Sequence, residues 1–525
     1  MITRRTVLSA AAASPLLSMP SLAQGRTKTL RYVPSSNLTV LDPVFTPAAV
    51  SITHGYCVFD TLYGMDANLQ PVPQMAAGHT VSDDGLTWEI TLRDGLMFHD
   101  GEPVRAQDCA ASLARWSKRD SFGQALGAAT ESFGAKDDKT IVIKLTRPFG
   151  QLLRAIGKPH SSPAMMMPER LANTDISTQV TEMIGSGPFR FKADEYVSGD
   201  RIVYEKFEGY VPRAEAPAWT SGGKVVNFDR LVWNVIPDPA TAVAAIQNGE
   251  VDMLASVMPD LAPIIDAHPD VNMHRTDPFG LVHVLRFNHL QPPFDNLALR
   301  QLVLKVIDQT PYMQSVTASE DMRNACLAAF PCGMPGVNEL GEGIIGSMSI
   351  EEAKAELAAT GYNGERVVIL NPTDIASIHP HGLITADILT KIGMNVDLQD
   401  TDWGTVVQRR VSKAPVDEGG WSIAHTNWPA IAIDNPATNA TTRGLGEQGW
   451  WGWFKDEEME SIVADWLAAG TPEEAQKLFD AAHRRALDQV PTIPLGQSFR
   501  DGAARADLTG LLNASVNLFW NVDRA

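Results

Sequence analysis

The residues best equipped for recognition chemistry lie in Gly419–Trp428, GGWSIAHTNW. Trp421 and Trp428 stand seven residues apart, with His425 and Asn427 between them. Indole faces offer large rigid contact area and cation–π capacity, while imidazole and amide groups fix orientation by hydrogen bonding. Two readings follow: these side chains line a ligand cleft, or both tryptophans are core. Trp403 and the Trp450-Trp451-Gly452-Trp453 cluster carry the same two readings. A second candidate contact is Ser35-Ser36-Asn37, directly after the strand expected at Thr29–Val33. Loops at the carboxyl ends of strands bind ligands in α/β sheets; the alternative is an ordinary polar turn.

Catalytic chemistry has little to stand on. The chain contains no GxSxG, HExxH or GxxxxGK[ST] motif. Gly341-Glu342-Gly343-Ile344-Ile345-Gly346 matches GxGxxG but follows a Pro/Gly-rich loop, whereas a dinucleotide turn must follow a strand. His379-Pro380-His381 lacks both a third ligand and helical spacing, and packing explains the run Met165-Met166-Met167. No cofactor and no metal are expected, and the reading is a non-enzymatic one. Cys326 and Cys332 lie six apart in a Gly/Pro-rich loop where a local disulfide is sterically reasonable. Cys57 and Cys109 sit in apolar strand and helix patterns, as small buried side chains or as a second bridge.

These side chains belong to an acidic chain whose N-terminus reads as a targeting segment. Arg4-Arg5 precedes an apolar run, Val7 to Leu17, and Ser21-Leu22-Ala23 offers small residues for cleavage near Ala23. Residues 1–23 thus read as an export signal, Tat-like by its twin arginine, with a Sec signal as the alternative. The apolar run is too short for a stable membrane span. With 43 Lys and Arg against 62 Asp and Glu the net charge is −19. That balance excludes nucleic acid and anionic membranes as partners, since both demand clustered positive charge. At 525 residues the chain exceeds one hydrophobic core, so two or three lobes are expected.

Strands and helices alternate throughout, giving an α/β class. Strands are expected at Thr29–Val33, Lys139–Leu145, Arg201–Glu205, Val225–Val235, Val282–Asn288, Arg366–Leu370 and Asn395–Gln399. Helices announce their starts at Asp238-Pro239, at the capping box Ser349 to Glu352, and at Thr471-Pro472-Glu473-Glu474. Another begins at Asp295. The segment Gly78 to Asp108, GHTVSDDGLTWEITLRDGLMFHDGEPVRAQD, reads as a strand, tight Asp-Gly turns and a helix from about Ala106 to Lys118.

Gly78–Asp108 resembles the signature of the family 5 extracellular solute-binding proteins of ABC importers, the dipeptide/oligopeptide-binding type. Further matches follow in the family's order: Gly185-Ser186-Gly187-Pro188-Phe189-Arg190; Asn248-Gly249-Glu250-Val251-Asp252; Asn288 with Pro292 to Asn296 and Arg300-Gln301; Ala353 to Tyr362; and Pro491 to Gln497. The resemblance implies a periplasmic binding protein-like fold whose two hinged lobes close on a solute. Lobe I would comprise 28–65, 185–278 and 490–525, an additional subdomain 66–184, and lobe II 279–489. It implies a periplasmic, monomeric receptor that delivers a short peptide or peptide-like solute to an ABC permease in the inner membrane. The alternatives are a non-peptide organic solute (opine, aromatic or glycoside-like) or, from another class, a periplasmic hydrolase. Peptide-binding members resemble G-W-x-x-D near Gly420-Trp421, the acid pairing with the peptide ammonium. Here Ala424 stands at that place and no acid follows until Asp434. A buried ammonium without a counter-charge is costly, which counts against peptides held by a free N-terminus.

Overall fold

A computed structural model describes residues 28–525. The export-signal reading of residues 1–23 and the cleavage position fall outside them. Two large sheets divide the architecture. The first has seven strands, in spatial order Phe189–Phe191, Arg201–Lys206, Arg230–Asn234, Thr29–Val33, Met253–Leu254, Gly502–Arg505 and Val271–His274. The second has six, in the order Arg323–Asn324, Thr492–Ser498, Leu281–Phe287, Ile423–Pro429, Arg366–Pro372 and Asn395–Thr401. A third, four-stranded antiparallel sheet (Ala76–Val81, Thr87–Leu92, Thr140–Leu145, Thr130–Ala135) lies in the segment inserted between the first-sheet strands Thr29–Val33 and Phe189–Phe191.

Local chemistry explains most element boundaries. The Asp238 carboxylate accepts the Thr241 amide ahead of helix Pro239–Gln247, and Ser349 and Glu352 close a reciprocal capping box ahead of Ile350–Glu356. Thr471 caps the long helix Pro472–Gln489 by accepting the Glu474 amide. Asn296, not Asp295, caps the helix Leu297–Val306. The helix expected over 106–118 stops at Trp116. The strand expected from Val225 starts only at Arg230, because Asp229 turns to accept the Lys28 amide and Lys224 is drawn into a buried ion pair with Asp60 (2.7 Å). Cys57 sits on a helix, Ala49–Val58, where a strand pattern is read from sequence. That helix is buried all round, so it lacks the polar face that betrays helical periodicity.

One expected boundary moves. Thr492–Ser498, grouped with lobe I in the reading of the sequence, pairs with Leu281–Phe287 in the second sheet, and the chain rejoins the first sheet only at Gly502. The two halves of the sequence signature also meet: the Gly185 carbonyl accepts the His99 amide (2.9 Å), and the Gly187 carbonyl lies 3.0 Å from the His99 ring. A Cβ at Gly185 would sit 2.1 Å from the Val58 carbonyl oxygen. Only glycine lets this turn pack on the end of Ala49–Val58. Cys326 and Cys332 are joined in a disulfide, while Cys57 and Cys109 are free and buried.

Candidate ligand cleft

Strand Ile423–Pro429 runs through the interior of the second sheet, paired on one side with Leu281–Phe287 and on the other with Arg366–Pro372. Its two ends lie in different surroundings. At the entry, Trp421 is wholly buried among Val368, Leu370, Val406, Trp451 and Trp453. At the exit, Trp428 reaches the wall of a cavity of about 600 Å³. Of the two readings open for these tryptophans, the structure gives core to Trp421 and cavity wall to Trp428.

A chain of rings connects them. Trp428 meets Trp450 edge to face (5.5 Å between centroids), Trp450 meets Trp451 (4.3 Å), and Trp451 meets Trp421 (5.5 Å). Cations lie over this ladder: the Arg286 guanidinium over Trp450 (4.9 Å) and that of Arg410 over Trp451 (5.0 Å). Arg286 is buried and donates to the carbonyls of Trp451, Thr441 and Pro491 and to the Thr492 hydroxyl. It fixes the loop that carries Trp450 to the strands beneath. Burial lowers its pKa to about 9, so it remains cationic at neutral pH.

The remaining expected contacts fall elsewhere. His425 points into the core, its Nε2 2.9 Å from the Thr385 hydroxyl and its ring beside that of His381; burial holds it well below the usual imidazole range. Asn427 is half-buried on the strand, opposite His283. Trp403 opens the helix Trp403–Arg409 and is covered by Arg410 (5.1 Å), away from the cavity. Ser35 and Ser36 are exposed, and Asn37 accepts the Gly199 amide (2.9 Å), which ties that loop to a neighbouring turn. None of these six residues lines the cavity.

The facing wall comes from the inserted segment, through residues that carry no sequence signal. Arg119 and Asp120 follow the end of helix Ala106–Trp116, and Asp120 caps the next helix, Ser121–Ala128. Burial pushes the Asp120 carboxyl up, opposed by the Lys158 ammonium and the Gly123 amide that bind it. His160, Ser161 and Ser162 complete this side. Burial, aided by the Lys158 charge, lowers the His160 pKa to about 4, so its ring is neutral at pH 7. Ser161 and Ser162 both adopt positive φ (54° and 59°), a conformation disfavoured for residues with a Cβ. The Ser162 carbonyl is held there by the buried Trp116 indole N–H (2.7 Å).

The two walls meet below the cavity. Arg154 of the inserted segment and Asp434, beyond the second-sheet strand, form an ion pair at 2.8 Å. Counting the G-W-x-x-D spacing from Trp428, the tryptophan that reaches the cavity, puts buried Ile431 where the acid would stand. The first acid after it is Asp434, already paired.

The sequence profile of the bacterial extracellular solute-binding proteins, family 5, matches residues 70–450. A probable peptide ABC transporter periplasmic-binding protein, y4tO of Sinorhizobium fredii, is 38% identical over the whole of both chains. The glutathione-binding protein GsiB of Salmonella typhi is 24% identical, covering 97% of this chain and 96% of its own. Among solved structures, a dipeptide-binding protein from Pseudoalteromonas sp. SM9913 in complex with Met-Leu superposes with a TM-score of 0.74 at 19% identity, covering 95% of this chain and all of its own (100%). AgaA of A. tumefaciens R10, in complex with agropinic acid, has the same TM-score, 0.74, at 22% identity, with 95% and 99% covered. The chain has the two-lobed α/β fold of periplasmic binding proteins. It belongs to the family 5 bacterial extracellular solute-binding proteins.

Proposed function

We propose that this chain is the periplasmic substrate-binding component of an ABC importer. It captures a short peptide or peptide-like solute between its lobes and delivers it to a membrane permease. Lobe I takes 28–65, 185–278 and 502–525 around the first sheet; 66–184 is the additional subdomain; lobe II extends through 279–498 around the second. The observation that carries this reading is the cavity of about 600 Å³ where lobe II faces the subdomain and Pro47 of lobe I, within the size range of small-molecule sites. It has an aromatic wall, Trp428 and Trp450, and a polar wall, Arg119 with His160–Ser162. Closure brings the walls together, and the Arg154–Asp434 pair crosses the join. A ligand touching both walls stabilises the closed state, which a permease can distinguish from the open one. The similarity to y4tO supports a peptide or peptide-like solute.

The test is to purify the mature protein under mild conditions, identify any retained ligand by mass spectrometry, and titrate it back by calorimetry into the wild type and Trp428→Ala. We expect one retained solute of peptide size and at least tenfold weaker binding by the variant. Undiminished binding by Trp428→Ala would place the ligand elsewhere. For the export signal, replacing Arg4 and Arg5 by lysine should block secretion if the route is Tat; continued secretion identifies Sec.

A further inference from the structure

The charges around the cavity do not balance, and the imbalance names a ligand class. Three pairs close on themselves. Asp120 is bound by Lys158. Arg443 is held by Glu460 through Nε (2.9 Å) and Nη2 (2.6 Å). Asp434 is held by Arg154. His160 is neutral at pH 7, its pKa lowered to about 4. The exception is Arg119. Its Nε and Nη2 both donate to one acceptor, the Phe45 carbonyl (3.2 and 3.0 Å), with the guanidinium over the Phe45 ring (5.2 Å). Among the described residues no carboxylate pairs with it, and no hydrogen bond is made by its Nη1.

Every carboxylate at the cavity is therefore already matched to a cation, while one cation is not matched. A ligand ammonium entering the site would find no free acid and would have to compete with Lys158 or Arg154. A ligand carboxylate would find Arg119, the side chain whose planar fork suits it best. The opposite wall of Trp428 and Trp450 offers apolar and aromatic contact. We infer that the site selects solutes that carry a free acid group and an apolar or aromatic body, with the amine absent or blocked, and that Arg119 is the specificity-determining residue. This rests on the cavity being the ligand site.

The experiment uses three matched probes in calorimetry with the mature protein: N-acetyl-phenylalanyl-alanine (free acid, blocked amine), phenylalanyl-alanine amide (free amine, blocked acid) and free phenylalanyl-alanine. The expected order is acetylated acid, then free dipeptide, then amide, with at least tenfold between the extremes. Arg119→Gln should erase that gap by weakening only the probes with a free acid. Arg119→Lys, which keeps the charge, should retain most of it and controls for loss of the Phe45 contact. The inference is overturned if the amide binds as well as the acetylated acid, if Arg119→Gln weakens all probes equally, or if no probe binds. Failure of the underlying site reading has a different signature: the probes bind, but Trp428→Ala changes the affinity of none of them.

Discussion

The two walls of the cavity are built on opposite plans. The lobe II wall is the visible end of a core: Trp428 and Trp450 lean on Trp451 and Trp421, and Arg286 pins the loop behind them through four acceptors. The subdomain wall is a set of loop residues, two of them at positive φ, placed by an ion pair and an indole hydrogen bond. The aromatic wall supplies area and rigidity at low entropic cost. The polar wall supplies the charge pattern. Altering the first should cost stability, whereas altering the second should change ligand choice at little cost.

The largest expected effect breaks the ladder at its buried end. Trp421→Ala removes a fully buried indole and should cost about 3–5 kcal/mol, read as a lowered urea midpoint. Trp428→Ala, at the half-buried end, should cost less stability but more affinity. If the two variants lost stability equally, the wall would not be supported from behind as described.

A comparable effect lies under the same strand. The rings of His283, His381 and His425 pack together in the lobe II core (5.0 and 6.2 Å between successive centroids). Burial lowers all three, His381 to about 4. A histidine whose folded pKa lies below its unfolded value of about 6.5 binds fewer protons in the native state, so stability falls as the pH is lowered from about 6.5 toward 4. For His381 alone the full effect is on the order of 3 kcal/mol. Unfolding measured at pH 7 and pH 5 should show marked acid destabilisation, and His381→Phe should flatten that limb. An unchanged pH profile in the variant would remove His381 as a cause.

How much of this was legible in the sequence follows the same division. Capping residues such as Asp238, Ser349 and Thr471 act within four residues of themselves, so local chemistry reveals them. The aromatic wall was half legible. Of Gly419–Trp428 only Trp428 reaches the cavity wall: seven residues of near-extended chain span roughly 20 Å, so one small cavity takes only one of its tryptophans. The polar wall was silent. Arg119 and His160 lie on loops about forty residues apart in sequence, and nothing local marks Lys158 as the partner of Asp120 or Glu460 as that of Arg443. Ser35–Asn37 does not line the cavity, to which the 28–65 stretch contributes Pro47 instead, a residue that no local pattern singles out.

A smaller effect belongs to the join between the walls. The partly buried Arg154–Asp434 pair should show a coupling of about 1 kcal/mol in a double-mutant cycle with Arg154→Gln and Asp434→Asn, measured as ligand affinity because it adds to closure. Zero coupling would mean that the pair does not bias the closed state.

The smallest effect concerns the strained corner of the polar wall. Ser162→Gly relieves a positive-φ residue (59°), worth about 1 kcal/mol, but glycine also loosens the unfolded chain by a comparable amount. Global stability should therefore change by less than about 1 kcal/mol. Affinity is the sharper readout. If the corner is held by the Trp116 indole on the Ser162 carbonyl, a contact that glycine keeps, ligand binding should survive the substitution. If the Cβ and the αL strain themselves shape the cavity, Ser162→Gly should weaken binding several-fold with no loss of stability, and the polar wall would then be a preorganised surface in its own right, as the aromatic wall is.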